Sequence, residues 1–286
     1  MKTIAIGLAY LVLAPLLGGL LAGVDRVLSA RMQRRVGPPL LQPFYDLFKL
    51  LAKQPQQVGG LQRPALICHL VFTAATGFLF FAGFDLLLTI FVLTLAAVFL
   101  VLAAFSSNAP YSFLGAQREL TVMMAYEPMV LIALIGFYKV SGSFSFGGIA
   151  SSTAPLIVWL PGIFAGFVYI LAMKLRKSPF DIATAHHAHQ ELVRGLTSDF
   201  SGSGLALVEL AHWYENVFLL GFIYLFFGFS PLIGLMAVAL AYLFEILLDN
   251  SFARLRWEQA LRSAWLVALV LGGGNLIAIY ALMGGN

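Results

Sequence analysis

The chain has 286 residues, of which 60% are hydrophobic and only 10% are charged, and its mean hydropathy is +0.91. A soluble domain is about half apolar and about a quarter charged. The composition therefore excludes an ordinary soluble protein and predicts a polytopic membrane protein. The formal net charge of +4 reflects an uneven distribution of Lys and Arg along the chain and gives no reason to expect a nucleic-acid partner.

Eight apolar runs are long enough, or nearly so, to cross a hydrocarbon core, which needs about 20 helical residues. They lie at roughly 3–24, 65–84, 86–107, 120–138, 155–174, 205–228, 231–248 and 262–283. Only helices satisfy the backbone of such spans in lipid. The sequence thus predicts an all-α integral membrane fold, a bundle of about eight transmembrane helices forming one polytopic domain over residues 1–286. The first run could also be a signal peptide, but it is too long and an Arg cluster follows it.

An amphipathic segment follows the first run. After Pro38 and Pro39, the apolar residues of 40–51 fall on one helical face, and Asp46, Lys49 and Lys53 fall on the other. A helix of this length with such a polar face is typical of one that lies in the interface plane. We expect an amphipathic surface helix on the cytoplasmic side.

The basic residues predict the orientation. Fifteen of the 17 Lys and Arg fall in the first loop and in every second loop after it, and only Lys2 and Lys139 lie opposite. By the positive-inside rule, both termini face outward from the plasma membrane, and the loops at about 25–64, 108–119, 175–204 and 249–261 are cytoplasmic. Their arginines could dock a soluble partner or pair with anionic lipid headgroups. The candidates are Arg26, Arg31, Arg34, Arg35, Arg118, Arg194, Arg254 and Arg256.

Ionisable residues interrupt three of the apolar runs. Such groups cost about 2.5–3.5 kcal/mol each at membrane depth, so they usually face a bundle interior or water. They are Glu127, then Glu209, His212 and Glu215 at intervals of three residues, and Glu245, with Glu119 two turns before Glu127. The pattern favours an ion or proton path. The alternative is a set of structural pairs with Arg118 or Lys174. Pro128 and Pro161 would interrupt the backbone ladder nearby.

Residues 177–195, "KSPFDIATAHHAHQELVRG", gather further titratable groups. Histidine titrates near pH 6.5, so His186, His187 and His189, flanked by Asp181 and Glu191, suit a proton relay. The spacing matches no strong ligand signature, and the single cysteine, Cys68, lies elsewhere, so we expect no metal site. A solvated polar loop is the other interpretation.

Four segments resemble the signature loops of one family. They read "RVLSARMQRRVGPPLLQPFYDLFKLL", "GAQRELTVMMAYEP", "SPFDIATAHHAHQELVRGLTSDFSG" and "FARLRWEQALRSAWLVAL". Together they are similar to the H-subunit family of respiratory complex I, which includes the matching membrane protein of energy-converting [NiFe] hydrogenases. "HHAHQELVRG" and "LALVELAHWYENV" are most similar to the B component, a membrane protein, of Ech-type hydrogenases. The quinone-reducing members usually carry carboxylates where this chain has histidines, and Glu-Tyr in place of Asp199 and Phe200.

The resemblance implies a membrane-anchoring and ion-coupling subunit, without cofactors of its own, that links ferredoxin oxidation and hydrogen evolution to H⁺ or Na⁺ movement. The NiFe centre and iron–sulfur clusters would lie in partners. Those partners would be soluble hydrogenase large and small subunits, an iron–sulfur subunit and an antiporter-like membrane subunit, in contact with lipid. Asp199 joins the candidate ion-pathway residues. The alternatives are the quinone-site subunit of a complex I relative and, in another class, a stand-alone secondary transporter.

Overall fold

The computed structural model describes residues 2–54, 60–150, 155–183, 192 and 194–283, and these residues are mainly helical with no strand among them. The first half contains α1 (Lys2–Met32), α2 (Gln42–Ala52), α3 (Gln62–Phe81), α4 (Leu86–Phe105), α5 (Pro110–Ser141) and the short α6 (Phe146–Ala150). The second half contains α7 (Leu156–Trp159), α8 (Pro161–Lys174), α9 (Ser203–Leu225), α10 (Pro231–Ser251), α11 (Trp257–Val267), a π-helical turn (Ala268–Gly273) and α12 (Gly274–Met283).

Six of the described helices are long and apolar enough to cross a membrane. They are α1, α3, α4, α5, α10 and the continuous helix Trp257–Leu282. The other two predicted spans also form helices, α8 with 14 residues and α9 with 23. Glu209, His212 and Glu215 lower the apolarity of α9. The prediction of an all-α membrane fold is confirmed.

The predicted helix boundaries differ from the observed ones where charged residues continue a helix. The first span was expected to end near residue 24, whereas α1 continues to Met32 through Asp25, Arg26 and Arg31. Likewise α5 begins at Pro110, so Arg118 and Glu119 are helical rather than in a loop. Charge marks where apolar character ends, but Arg and Glu are good helix formers, so the backbone continues.

The chain divides into two compact units, and unit 1 comprises residues 1–82, 88–120 and 182–218. Within it, reciprocal hydrogen bonds tie α1 to α9. The Tyr10 hydroxyl donates to the Tyr214 carbonyl at 2.8 Å, and the Tyr214 hydroxyl donates to the Leu11 carbonyl at 2.7 Å. Gly77 on α3 leaves the space that the Tyr10 ring occupies, since a Cβ there would overlap the ring. A small residue thus lets two helices approach closely.

Unit 1 also contains the amphipathic helix α2, which confirms the predicted segment at 40–51. Phe44 packs against Trp213 of α9 with ring centroids 5.1 Å apart, while Phe48 stays 64% exposed. An ion pair of 2.6 Å joins Arg26 of α1 to Asp46 of α2. The helix is thereby fixed to α1 and α9.

Unit 2 comprises residues 83–87, 121–181 and 219–286 and contains an interrupted helix. Pro161 separates α7 from α8, as the sequence predicted, whereas α5 continues through Pro128. The Asn275 side chain of α12 bridges the interruption. Its Nδ2 donates to the Trp159 carbonyl at 3.2 Å, and its Oδ1 accepts from the Ile163 N–H at 3.2 Å. The backbone groups freed at the interruption therefore find a partner.

Candidate functional site

Glu245 is the most deeply buried carboxylate of unit 2. It lies on α10 with no exposed surface, and within the described part of the chain neither of its carboxylate oxygens has a hydrogen-bond partner. Tyr242 and Asp249 lie three residues before it and four after it, so they share its helix face.

Lys177 belongs to the turn that follows α8, which we call the 177–181 turn (Lys177–Asp181). Only 7% of Lys177 is exposed, and its Nζ lies 5.0 Å from the centroid of the Tyr242 ring. The face of an aromatic ring attracts an ammonium group, more strongly when both are desolvated. The buried ammonium is thus held beside the helix turn that precedes Glu245.

Hydrogen bonds anchor the 177–181 turn to its surroundings. The Ser178 N–H donates to Asp249 Oδ1 at 2.8 Å, and the Pro179 carbonyl accepts from the Leu255 N–H at 3.1 Å. Ser178 and Pro179 are joined by a cis peptide bond. Earlier in the turn, the Lys177 N–H donates to the Ala172 carbonyl at 3.0 Å. Because of these hydrogen bonds, Lys177 has a fixed backbone position relative to α10.

Asp181, the last residue of the turn, forms an ion pair with Arg254. Arg254 Nε donates to Asp181 Oδ1 at 2.8 Å and to Oδ2 at 2.9 Å, and the Asp181 side chain is 8% exposed. The predicted ion-pathway carboxylate and the predicted docking arginine are thus each other's partners. A buried charge is stable only when it is paired, and Arg254 supplies the opposite charge for Asp181.

A second buried lysine, Lys174, ends α8. Lys174 is 7% exposed, and its Nζ lies 4.2 Å from the centroid of the Tyr126 ring. Tyr126 is buried and precedes the half-buried Glu127 on α5. Two buried lysines three residues apart therefore each face a tyrosine that lies close in sequence to a predicted ion-pathway glutamate.

Three predicted ion-pathway groups of unit 1 lie on α9. His212 Nδ1 and Glu215 Oε2 are 3.7 Å apart, with side-chain exposures of 25% and 10%. Glu209 is half-buried one turn earlier. The spacing of three residues places these groups on neighbouring positions of the helix surface, as the sequence predicted.

Two further predicted acids of unit 1 lie outside α9. Glu119 is 7% exposed in the first third of α5. Asp199 follows the short 3₁₀ turn Gly195–Thr197, and its backbone carbonyl accepts from Gln62 Nε2 at 3.3 Å. Asp199 Oδ2 is buried and has no hydrogen-bond partner among the described residues. The loop of Asp199 is thus held against the start of α3.

The arginines predicted for docking differ in their surroundings. Arg31, Arg34 and Arg35 are exposed where α1 ends, and Arg194 and Arg256 are exposed elsewhere. Arg118 is half-buried on α5. Arg26 is bound to Asp46, and Arg254 is bound to Asp181. The Arg31–Arg35 segment therefore presents an exposed cluster of positive charge.

His186, His187, His189 and Glu191 lie outside the described residues, so the predicted proton relay stays a prediction. Among the residues that the structure does describe, no three His, Cys, Asp or Glu side chains group as metal ligands. Cys68 is half-buried on α3.

The model of the family described as NADH dehydrogenase matches residues 4–280. The chain belongs to this family. Two relatives come from Escherichia coli (strain K12). Hydrogenase-4 component C is 30% identical over 91% of this chain and 90% of its own length. Formate hydrogenlyase subunit 4 is 28% identical over 86% of this chain and 89% of its own length. The NADH-quinone oxidoreductase H subunit from Neisseria meningitidis serogroup C (strain 053442) is 26% identical over 89% and 83%.

One solved structure supports the NADH dehydrogenase family fold. A chain of the membrane-bound sulfane sulfur reductase, an archaeal respiratory membrane complex, superposes with a TM-score of 0.84 at 23% identity, over 98% of this chain and all of that one. This family member is thus a multi-pass, energy-converting membrane subunit of an oxidoreductase complex of the hydrogenase and complex I type, and its partners are other subunits of that complex.

Sequence reasoning missed three residues of the site in this member of the NADH dehydrogenase family. Lys177, Tyr242 and Asp249 lie at or beside the face of α10 that carries Glu245, and none of the three is among the predicted site residues. A signal existed, since Tyr242, Glu245 and Asp249 have the helical spacing that places side chains on one face. The approach of Lys177 depends on tertiary structure and leaves no local pattern.

Proposed function

We propose that the chain is the membrane-anchoring and ion-coupling subunit of an energy-converting hydrogenase. Ferredoxin oxidation and hydrogen evolution take place in the soluble part of the complex, and this subunit links them to H⁺ or Na⁺ movement. The observation that carries the proposal is Glu245, a fully buried carboxylate without a hydrogen-bond partner among the described residues of a membrane helix. Ionisable groups at membrane depth are expensive and mark ion or proton routes.

The proposed ion route uses the carboxylates and histidines that the sequence indicated. It comprises Glu119, Glu127, Asp181, His186, His187, His189, Glu191, Asp199, Glu209, His212, Glu215 and Glu245. The exposed Arg31–Arg35 cluster supports docking of a soluble module, with Arg194 and Arg256 as further contacts. Arg26 and Arg254 contribute by holding α2 and the 177–181 turn in place.

The hydrogenase branch is favoured by the hydrogenase-4 and formate hydrogenlyase relatives. The proposed partners are the hydrogenase large and small subunits, an iron–sulfur subunit and an antiporter-like membrane subunit, with the NiFe centre and iron–sulfur clusters in those partners. The 286 residues act as one polytopic domain of the plasma membrane, with both termini outside and the Arg-rich loops in the cytoplasm, as the distribution of basic residues supports.

The test uses the purified complex in proteoliposomes, driven by reduced ferredoxin. Glu127, Glu209 and Glu245 are each changed to Gln, which keeps the shape but removes the titratable charge. We expect hydrogen evolution to continue while H⁺ or Na⁺ uptake falls. Glu258→Gln, at an exposed position in the first turn of α11, is the matched control. Wild-type uptake by all three variants would leave these glutamates as structural groups.

A second candidate is the quinone-site subunit of a complex I relative, favoured by the similarity to the NADH-quinone oxidoreductase H subunit. Co-purification distinguishes the two candidates. A NiFe large subunit in the isolated complex supports the hydrogenase branch, and a bound quinone without hydrogenase activity supports the second.

A further inference from the structure

We propose that Lys177 is a positioning residue that sets the proton affinity of Glu245, so that the 177–181 turn acts electrostatically on the ion route. The inference rests on the proposed function for its physiological meaning. Its physical content, the control of one buried carboxylate by one buried ammonium, is tested separately.

The burial of Glu245 makes its proton affinity sensitive to nearby charge. With no exposed surface, and with no hydrogen-bond partner among the described residues, the carboxylate lacks the solvation and donors that usually stabilise its charged form. Such a group responds strongly to a neighbouring charge, because water does not screen the interaction. Two groups of opposite charge lie along this face of α10: Asp249 is four residues after Glu245, and Lys177 Nζ lies 5.0 Å from the ring of Tyr242, three residues before it. A positive charge favours the ionised carboxylate, and a negative charge favours the protonated one.

The contacts of Lys177 and of the residues after it hold the ammonium group beside the face of α10 that carries Glu245. The Tyr242 ring lies 5.0 Å from Nζ, and Tyr242 is on the same helix face as Glu245. The backbone that carries Lys177 is bound at Ser178 to Asp249 and at Pro179 to Leu255. The Asp181–Arg254 pair at the end of the turn neutralises itself locally. The turn therefore places the Lys177 ammonium group beside the face of α10 that carries Glu245.

Along the sequence, the 177–181 turn also leads directly to another part of the proposed ion route. Residue 181 leads within three residues to the segment 184–191, which carries the histidines of the proposed ion route. An event that displaces the 177–181 turn would change the separation of Lys177 from Glu245, and with it the proton affinity of Glu245. The Lys177 ammonium group would then both contact Tyr242 of α10 and regulate Glu245.

The experiment follows Glu245 by difference infrared spectroscopy on the assembled complex. The C=O stretch of protonated Glu245 is identified by its loss in Glu245→Gln, and its amplitude is followed against pH. Lys177→Met removes the favourable charge, so we expect a tenfold or greater rise in the proton affinity of Glu245. Lys177→Arg keeps the charge and should stay close to the wild type.

Lys174→Met is the matched control, since Lys174 is equally buried and also faces a tyrosine. We expect it to leave the Glu245 titration unchanged. Asp249→Asn removes the opposing charge but keeps the acceptor for Ser178, and it should lower the proton affinity of Glu245. If Lys177→Met fails to assemble, Lys177→Gln, which also removes the charge but keeps a polar side chain, decides the matter.

The proposal is overturned if assembled Lys177→Met titrates like the wild type, if Lys174→Met shifts Glu245 as much, or if Asp249→Asn leaves the proton affinity unchanged. Failure of the proposed function has a different signature. In that case Glu245→Gln pumps normally, whereas the infrared shifts caused by Lys177→Met and Asp249→Asn persist.

Discussion

Arg254 and Asp181 form an ion pair across 73 residues of sequence, in which the Arg254 Nε–H is shared between the two carboxylate oxygens at 2.8 and 2.9 Å. Arg254→Leu would leave a carboxylate that is 8% exposed without its partner. We expect the free energy of unfolding to fall by about 1.5–3 kcal/mol, the usual contribution of hydrogen bonds to charged groups. The thermal unfolding midpoint of the purified complex should fall with it. Arg262→Leu, at an exposed position on α11, should change it little. Equal midpoints for both variants would contradict a stabilising role for the pair.

The second prediction concerns the side-chain bridge at the interrupted helix. Asn275→Leu removes the groups that pair with the Trp159 carbonyl and the Ile163 N–H. Leaving such backbone groups unpaired costs about 1–3 kcal/mol each, so we expect a lower unfolding midpoint. Asn275→Asp keeps the acceptor for Ile163 but loses the donor to Trp159, and should fall between the wild type and Asn275→Leu. An unchanged midpoint in Asn275→Leu would show that other groups satisfy the interruption.

The third prediction concerns pH and the attachment of α2. Burial raises the pKa of Asp46, but hydrogen bonds from Arg26 and Gln42 outweigh it, and the net effect lowers the pKa below its usual value. A lowered pKa means that the carboxylate stabilises the fold above the ordinary Asp value of about 3.9 and loses this effect as pH falls through the lowered pKa. A spin label at position 45 should therefore become more mobile only in that acidic range.

Two variants serve as controls for that measurement. Asp46→Asn removes the titrating group, so the label should be equally mobile at neutral and acidic pH. Arg26→Gln should mobilise the label at neutral pH, although modestly, since both partners of the ion pair are more than one-third exposed. A label that remains immobile in both variants would mean that the packing of Phe44 on Trp213 alone fixes α2.

The fourth prediction concerns the exposed cluster at the end of α1. Changing Arg31, Arg34 and Arg35 together to Glu should release the soluble module from washed membranes while this chain stays inserted, because the charge that attracts the partner is reversed. The hydrogenase large subunit and its activity are measured in the pellet and the supernatant. Arg262→Glu, an exposed basic position on α11, is the control. Full retention of activity in the triple variant would assign the cluster to lipid headgroups.

The helices were predictable because hydropathy alone specifies them. The amphipathic pattern at 40–51 predicted α2, and Pro161 predicted the interruption before α8. The extension of α1 to Met32 was not predictable from hydropathy, because charged residues continue the backbone helix beyond the apolar run. Tertiary packing and capping decide such ends, and neither is visible in a local window.

The candidate site was predictable only in part. Glu245 stands out because a carboxylate in an apolar run is unusual, and the repeat of Glu209, His212 and Glu215 indicated their shared helix face. The sequence did not show which charged residues pair with each other. It indicates separate roles for Asp181 and Arg254, whereas the structure joins them in one ion pair. Pairing at such sequence separation follows from how the chain folds back on itself.

The division of the chain into two units has a consequence for biosynthesis. Each unit is assembled from three separate stretches that alternate in sequence, so unit 1 lacks its last stretch until residue 218 has been made. Ribosomes add about 5–20 residues per second, so the early helices wait in the bilayer for about ten seconds or more. During that time Tyr10 has no Tyr214 carbonyl to bind, and the insertion machinery must shelter the polar groups of α1. Truncated chains that stop near residue 150 would leave both units incomplete and become substrates for membrane proteases.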